Sequence, residues 1–360
     1  MSKTKVLLAM SGGIDSSVAA ILLMEQGYDV TGITFRSWDY ISEGCMEKQT
    51  GCCSVDTIFE AKKLAEKLGF PHHILDIRKE FNDFVIQDFI NEYLVGRTPN
   101  PCVVCNTHIK WGEILRKADE LDCQYIATGH YARIKQTNNR FVLVKGVDQA
   151  KDQSYFLWTL TSENLSRTLF PLGNYVKDEV REIARQKGFT KLAEKHESQE
   201  ICFIPDNDYR KFLIGQVPEI DKKYANGNFV STSGKILGKH KGFPFYTIGQ
   251  RKGLEIALGQ PQYVVHINPK TNTIVLGNKE DLLKSELWVK NINITKYAEL
   301  PQNIEVTTKI RYRNEGYISR ITQDGDKLKL EFYEPVSAIT PGQSAVFYED
   351  DELIGGGIIV

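Results

Sequence analysis

The chain carries almost no net charge. Its 360 residues hold 45 lysines and arginines against 46 aspartates and glutamates, a formal charge of −1. No global field draws it toward nucleic acid, so an RNA partner has to be held by local basic patches. Long apolar runs are missing as well, which excludes a membrane-spanning helix. The opening Val6–Met10 stretch is too short for a signal-peptide core and runs straight into a glycine turn, so a cytoplasmic location is expected. Internal repeats and low-complexity tracts are also absent. What remains is ordinary for a globular chain of two or three domains: 41% hydrophobic and 25% charged residues. The seven cysteines are Cys45, Cys52, Cys53, Cys102, Cys105, Cys123 and Cys202. In a reducing compartment an odd set of this kind argues for reactive thiols or metal ligands and against a disulfide framework.

The most informative stretch is Ser11-Gly12-Gly13-Ile14-Asp15-Ser16-Ser17. It lies between an apolar strand-like run and an apolar-periodic helix, which predicts strand, tight turn, helix. Two glycines allow a ligand close to the backbone. The serines add donors, and the new helix turns its free amides and positive dipole end to the same point. The turn has neither the lysine of a Walker A loop nor the G-x-G-x-x-G pattern. It resembles the S-G-G-x-D-S pyrophosphate loop of the ATP pyrophosphatase (PP-loop) group, whose members cleave ATP between the α and β phosphates and adenylate a substrate oxygen. The bland alternative is a βα turn in which Asp15 or Ser16 caps the helix.

Strands are expected at Val6–Met10, Asp29–Thr34, His72–Leu75 and Tyr125–Thr128. Helices are expected at Ser16–Gln26, Val55–Leu68, Glu80–Leu94 and Asn106–Leu121. This alternation predicts a parallel sheet with helices on both faces, whose ligands sit at the carboxyl ends of the strands. A hairpin over Ala132–Lys135 and Arg140–Lys145 follows, then helices at Ser154–Ser166 and Lys177–Lys187. After about Leu213 helices are expected to vanish. A glycine-rich β module and a C-terminal β-barrel or sandwich take over, with strands at Gln262–Ile267, Thr273–Leu276, Ile304–Arg313, Lys327–Phe332 and Gln343–Tyr348. The division expected is 1–213, 214–283 and 284–360.

The second strong signal is Arg97-Thr98-Pro99-Asn100-Pro101-Cys102-Val103-Val104-Cys105-Asn106. The prolines stiffen the approach, and the C-x-x-C pair is read as sitting just ahead of a helix. A thiol there has a lowered pKa, with Arg97 and Lys110 as further cations, so Cys105 is a candidate nucleophile. A redox pair, or half a zinc site with His108 as a weak third ligand, are the other readings. Cys202, flanked by apolar residues, reads by itself as a buried small hydrophobe, and Cys123 as core. Cys45, Cys52 and Cys53 fall in a loop-like insert.

Seven ordered blocks run along the chain: S-G-G-x-D-S, G-R-T-P-N-P-x-x-x-C-N, A-T-G-H-Y, K-D-Q-S-Y-F-L, I-C-F-I, G-Q-R-K-G-L and P-G-Q-S-A-V-F-Y. Together they resemble the bacterial tRNA-specific 2-thiouridylase family. The resemblance implies a PP-loop α/β domain, a small central domain and a C-terminal β-barrel. It also implies ATP-dependent adenylation of O2 of the wobble uridine in tRNAs for Lys, Glu and Gln, followed by sulfur transfer to C2. Ala9, Met10, Ser11, Gly12, Gly13, Ile14, Asp15 and Ser16, with Phe35 and Gly129, match the ATP contacts. Magnesium is expected with ATP, and Asp15 is its candidate indirect ligand. Cys202 matches the persulfide cysteine, fed by a sulfur-relay protein or a cysteine desulfurase. Cys105 matches the nucleophile, and a Cys105–Cys202 disulfide is the implied intermediate. Asn100, Pro101 and Cys102 match the segment meeting the target base. His130, Lys151, Asp152, Gln153, Arg311, Tyr312 and Gln343 match further tRNA contacts. Lys309, Arg311 and Arg313 are expected on one strand face at period two, with Tyr312 beside them.

One departure stands out. Many family members carry aspartate where this chain has Cys102. The resulting C-x-x-C plus a distant cysteine resembles the ligand set of related tRNA thiolases that hold a [4Fe–4S] cluster, so Cys102, Cys105 and Cys202 are candidate cluster ligands beside the thiol-exchange reading. Two other functions remain in view: a PP-loop ligase adenylating a small molecule, and an RNA-binding or redox-sensing protein without turnover.

Overall fold

The computed structural model describes residues 3–38, 55–194, 201–204, 206–256 and 259–360. Cys45, Cys52 and Cys53 lie outside these residues, as do Ser198, Gln199, Glu200 and Pro205 around Cys202.

The N-terminal half contributes β1 (Lys5–Ala9), β2 (Asp29–Arg36), β3 (His72–Asp76), β4 (Tyr125–Ala127), β5 (Ala132–Thr137), β6 (Arg140–Lys145) and β7 (Thr168–Leu169). Five of them form a parallel sheet in the order β3-β2-β1-β4-β7. After Lys5, central β1 is apolar, Val6 to Ala9, because both its faces are covered. Val6 and Leu8 enter one core with Val18, Ala19 and Leu22 of α1 (Ile14–Glu25) and Ala61 and Leu64 of α2 (Val55–Leu68). Leu7, one residue out of phase, enters the opposite core with Trp111, Ile114 and Ile126. The chain leaves β1 toward β2 and later returns to its other side with β4. The crevice at the carboxyl ends of β1 and β4 is therefore where the strand order reverses.

A long helical run covers 78–94, with a π-helical middle at Asn82–Ile86. A second begins at Pro101 and continues through a π-helical stretch, Cys105–Glu113, to Glu120. It starts five residues earlier than Asn106, the expected first residue. Pro101 occupies the first helical position, where its fixed φ is preorganised and its missing N–H costs nothing. Cys102 and Cys105 therefore lie inside the first turns of the helix and not ahead of it. The expected helix over Ser154–Ser166 is broken into a 3-10 turn, Ser154–Leu157, and a short helix, Ser162–Ser166. Between them Trp158 and Leu160 turn into the core, and Thr161 opens the second helix through a reciprocal capping box with Asn164.

Helices persist past Leu213: one runs Tyr209–Gln216 and another Ile220–Lys223. Then β8 (Gly227–Ser231), β9 (Ile236–His240), β10 (Tyr263–Asn268) and β11 (Thr273–Gly277) form a four-stranded sheet ordered β10-β11-β8-β9. Phe229, Val264 and Ile274 of this sheet share one apolar cluster with Phe81, Phe89 and Phe203.

The C-terminal strands are β12 (Leu283–Ile294), β13 (Ile304–Lys309), β14 (Tyr317–Asp324), β15 (Lys327–Ser337), β16 (Ser344–Glu349) and β17 (Glu352–Ile359). They pair antiparallel in the order β12-β15-β14-β13-β16-β17, and β12 pairs again with β17 to close a barrel. β13 stops at Lys309. Arg311 and Arg313 thus lie beyond it in a turn, which replaces the expected three-cation strand face. The β5–β6 hairpin, encoded far upstream, joins the same sheet: Val144 pairs with Glu352, and the Lys145 amide donates to the Asp351 carbonyl at 2.9 Å.

Candidate active site

The phosphate loop links β1 to α1. Gly12 takes φ +68°, and a Cβ there would come within 2.4 Å of the Thr57 carbonyl oxygen, so only glycine fits. Ser16 Oγ accepts the Ser11 amide at 3.2 Å, and the hydroxyls of Ser16 and Ser17 donate to the Gly13 carbonyl at 3.2 and 2.8 Å. Gly13 is the helix cap residue and no side chain caps α1. Neither Asp15 nor Ser16 plays the capping role of the bland alternative. The uncapped amides and the positive end of α1 are left facing the loop, as an anion site requires.

Asp15 is engaged elsewhere. Its carboxylate accepts the Lys177 ammonium at 2.7 and 2.9 Å and the Tyr131 hydroxyl at 2.7 Å. This bond set ties the loop to the segment after β4 and to the helix Lys177–Gln186. Sequence reasoning missed both partners. Tyr131 stands inside the A-T-G-H-Y block, whereas Lys177 carries no local signal.

Phe35 closes the end of β2, half-buried against the two apolar clusters that flank it. Gly129, at the end of β4, presses on the loop: a Cβ there would lie 2.9 Å from Asp15 C and Ser16 N. His130 is almost wholly buried. Lys110 Nζ lies 3.3 Å from its Nε2, and Thr128 Oγ1 lies 2.7 Å from its Nδ1. An ammonium only donates, so Nε2 accepts, and the neutral ring carries its proton on Nδ1 and donates it to Thr128. Burial, with Lys110 adding to it, pushes the imidazole well below its usual range.

Cys102 and Cys202 are exposed, Cys105 is half-buried and Cys123 is buried. Exposure of Cys202 overturns its reading as a small core hydrophobe. Cys105, Ile201 and Phe203 pack into the same apolar cluster, and Phe203 meets the rings of Phe81 and Phe89 edge-on at 5.8 and 5.2 Å. The residues on both sides of Cys202 thus share a core with Cys105 and with Phe35. Arg97 is ion-paired with Glu92, which offsets its charge toward a thiolate. His108 stacks flat on Phe84, with centroids 4.8 Å apart. Among the described residues no three His, Cys, Asp or Glu side chains stand together as metal ligands. Nothing among the described residues thus supports Cys102, Cys105 and Cys202 as ligands of an iron–sulfur cluster, or the half-zinc reading through His108.

The segment before the helix is gripped by the barrel. Gln343 Nε2 donates to the carbonyls of Thr98 and Pro99 at 3.1 and 2.8 Å, and the Thr98 amide donates to the Pro341 carbonyl at 2.9 Å. Arg311 braces this barrel loop through the Ala338 carbonyl at 2.6 Å and Thr340 Oγ1 at 3.2 Å. Tyr312 packs on Phe156 with centroids 4.5 Å apart. Asn100 and buried Pro101 start the cysteine helix. Asp152 is buried and accepts the amides of Gly146 and Ser154 at 3.1 Å each. Gln153 Oε1 accepts the Tyr131 amide at 3.0 Å, and Lys151 is half-exposed beside them. Gln343 thus joins the barrel to the segment before the cysteine helix, with Arg311 bracing the barrel side, while His130, Asp152 and Gln153 are held by neighbours in the nucleotide half.

Residues 4–206 match the domain family described as tRNA methyl transferase HUP domain, 215–278 the tRNA methyl transferase PRC-barrel domain, and 284–359 the aminomethyltransferase beta-barrel domain. The tRNA-specific 2-thiouridylase MnmA of Amoebophilus asiaticus is 54% identical over 360 residues, covering 100% of this chain and 96% of that protein. Its namesake in Cytophaga hutchinsonii is 54% identical, covering 99% and 97%, and that of Salinibacter ruber 51%, covering 99% and 94%. A solved 4-thiouridine synthetase in complex with RNA and ATP aligns loosely, at 21% identity and a TM-score of 0.33 over 60% of this chain and 51% of that one. With a family model spanning more than half its length and relatives this similar from end to end, the chain belongs to the MnmA family of tRNA-specific 2-thiouridylases.

Proposed function

We propose that this protein converts the wobble uridine of tRNAs for Lys, Glu and Gln to 2-thiouridine, consuming ATP and releasing AMP and pyrophosphate. The observation that supports the reading is the apolar cluster shared by Phe35, near the carboxyl end of β2, with Cys105, Ile201 and Phe203, the neighbours of Cys202 among them. A uracil oxygen is a poor leaving group. Its attack on the α-phosphorus forms an O–P bond, expels pyrophosphate and turns that oxygen into part of AMP. Sulfur then bonds to C2, and the C2–O bond breaks with AMP leaving.

The sulfur comes from a persulfide on Cys202, supplied by a relay protein or a cysteine desulfurase. In one route the Cys105 thiolate attacks Cys202 Sγ and frees hydrosulfide, which attacks C2. In the other, the terminal persulfide sulfur attacks C2, and Cys105 then displaces the thiolated base from Cys202. Both end in a Cys105–Cys202 disulfide, which an external dithiol must reduce before the next turnover. Cysteine sulfur suffices for this chemistry, and no step uses an iron–sulfur cluster. Magnesium enters with the ATP phosphates. Ala9 to Ser16, Phe35 and Gly129 hold ATP. Asn100, Pro101 and Cys102 meet the target base, and His130, Lys151, Asp152, Gln153, Arg311, Tyr312 and Gln343 shape the surrounding tRNA contacts. The working division is 1–213 for ATP and chemistry, 214–283 for the central unit and 284–360 for the barrel. No helix among the described residues is long and apolar enough to cross a membrane, and we assign the protein to the cytoplasm.

The test is AMP formation with and without unmodified tRNA, followed by mass analysis of the wobble nucleoside. Stimulation by tRNA and a gain of sulfur support the proposal. Stimulation by a carboxylic acid or amine supports a small-molecule ligase, and no AMP at all supports a protein without turnover.

A further inference from the structure

Lys110 combines three features that the reading above leaves unused. It lies on the Cys105 helix, five residues beyond the thiol. Its ammonium is 3.3 Å from His130 Nε2, and His130 follows Gly129, whose backbone abuts the first turn of α1. Among the described residues it makes no ion pair, whereas Arg97 on the same approach is matched by Glu92. A neutral imidazole orients an ammonium without cancelling its charge. A half-buried cation held this way calls for an anion, and the adjacent loop is built to bring one.

We propose that the Lys110 ammonium, aimed by His130, binds a phosphoryl oxygen of ATP as the uridine oxygen attacks the α-phosphorus. The bond to the α-phosphorus forms, the bridging bond to the β-phosphate breaks, and the leaving pyrophosphate takes the electron pair. A fixed cation stabilises the charge gathering there. This assignment rests on the adenylation reading and adds its missing positive charge. It also places Lys110 on the phosphate and not on the Cys105 thiolate.

The test compares wild type with Lys110→Met and Lys110→Arg. Lys110→Met loses about 100-fold or more in the kcat for tRNA-dependent AMP formation, while tRNA affinity and the pH midpoint of Cys105 alkylation stay unchanged. Lys110→Arg recovers a substantial part of the rate. A second measurement needs only the wild-type protein: saturating ATP slows acylation of Lys110 and not of exposed Lys79, as read by peptide mass analysis. AMP formation by a folded Lys110→Met at the wild-type rate overturns the assignment, as does acylation of Lys110 that ATP leaves unchanged. A raised Cys105 midpoint with normal AMP formation overturns it in favour of a role on sulfur. Wild-type protein that makes no AMP with tRNA sinks the functional reading itself, so the two failures are distinguishable.

Discussion

Lys177 Nζ stands 2.7 Å from Asp15 Oδ1 and 2.9 Å from Oδ2, joining the first residues of one helix to those of another 162 positions away. The lysine is nearly buried and the aspartate about two-thirds so. The pair fixes the loop from which phosphate amides are presented. Lys177→Met leaves Asp15 with only the Tyr131 hydroxyl. We expect a loss of about 1–2 kcal/mol in denaturant unfolding, less than a fully buried pair because Asp15 keeps some solvent. The KM for ATP should rise several-fold. Unchanged ATP kinetics in the folded variant would show that the ion pair is not what sets the loop.

The two thiols should fail separately and identically. Cys105→Ser and Cys202→Ser are each expected to abolish thiolation while ATP binding persists, because neither sulfur is needed by the loop. In wild type a single turnover should leave a Cys105–Cys202 disulfide, visible by peptide mapping without reductant. Thiolation at the wild-type rate by Cys105→Ser defeats the assignment.

Gln343 tests the seam between the barrel and the segment before the cysteine helix. Gln343→Leu removes donors from the carbonyls of Thr98 and Pro99, at a cost of about 1–2 kcal/mol. The larger effect should fall on the KM for tRNA, because the freed segment leads directly into Asn100, Pro101 and Cys102. Tighter or unaltered tRNA kinetics would speak against a seam that shapes the base site.

Stability should decline in mild acid. Burial pushes buried His240 down to about 4, and burial lowers His72 and His130 in the same direction. An unfolded histidine titrates near 6.5, so the unfolded chain takes up protons that the native rings refuse. Their contribution is complete above pH 6.5 and, for His240, lost as pH falls to about 4. Asp88, raised from 3.8 to about 6 by burial and by Glu92, acts the other way: it favours the native state more at the acid end of that window. The diagnostic is therefore a difference in slope. His240→Gln should show a shallower fall in denaturation midpoint between pH 6.5 and 4 than wild type, and parallel curves would refute it.

Protein purified without oxygen is expected to thiolate tRNA while containing no stoichiometric iron or inorganic sulfide. Activity that tracks iron content would reinstate Cys102, Cys105 and Cys202 as ligands of a cluster.

Much of the nucleotide half was legible because its signals are local. The apolar Val6–Met10 run and the glycine pair before α1 are each marked by a few adjacent residues. The errors have physical causes. Pro101 was read as loop stiffening, yet proline is equally suited to the first helical position, and this moved the start of the cysteine helix. β7 is only two residues long, too short for any periodicity. β17 was missed because Gly355-Gly356-Gly357 argue against a strand. The barrel needs them: a Cβ on Gly356 would sit 2.8 Å from the Trp158 ring. At the site, the residue types were readable from the ordered motif blocks, but their pairings were not. Asp15 with Lys177, His130 with Lys110 and Gln343 with Thr98 are long-range contacts with no trace in local spacing.

The hairpin that lies alongside β17 has one more implication. Removing the last strands would strip β6 of the pairing it makes at Val144 and Lys145 and bare that end of the hairpin edge. Such an edge recruits other chains. A truncated nucleotide-binding half should therefore self-associate in solution, and the barrel acts as an intramolecular shield for the part of the chain made first.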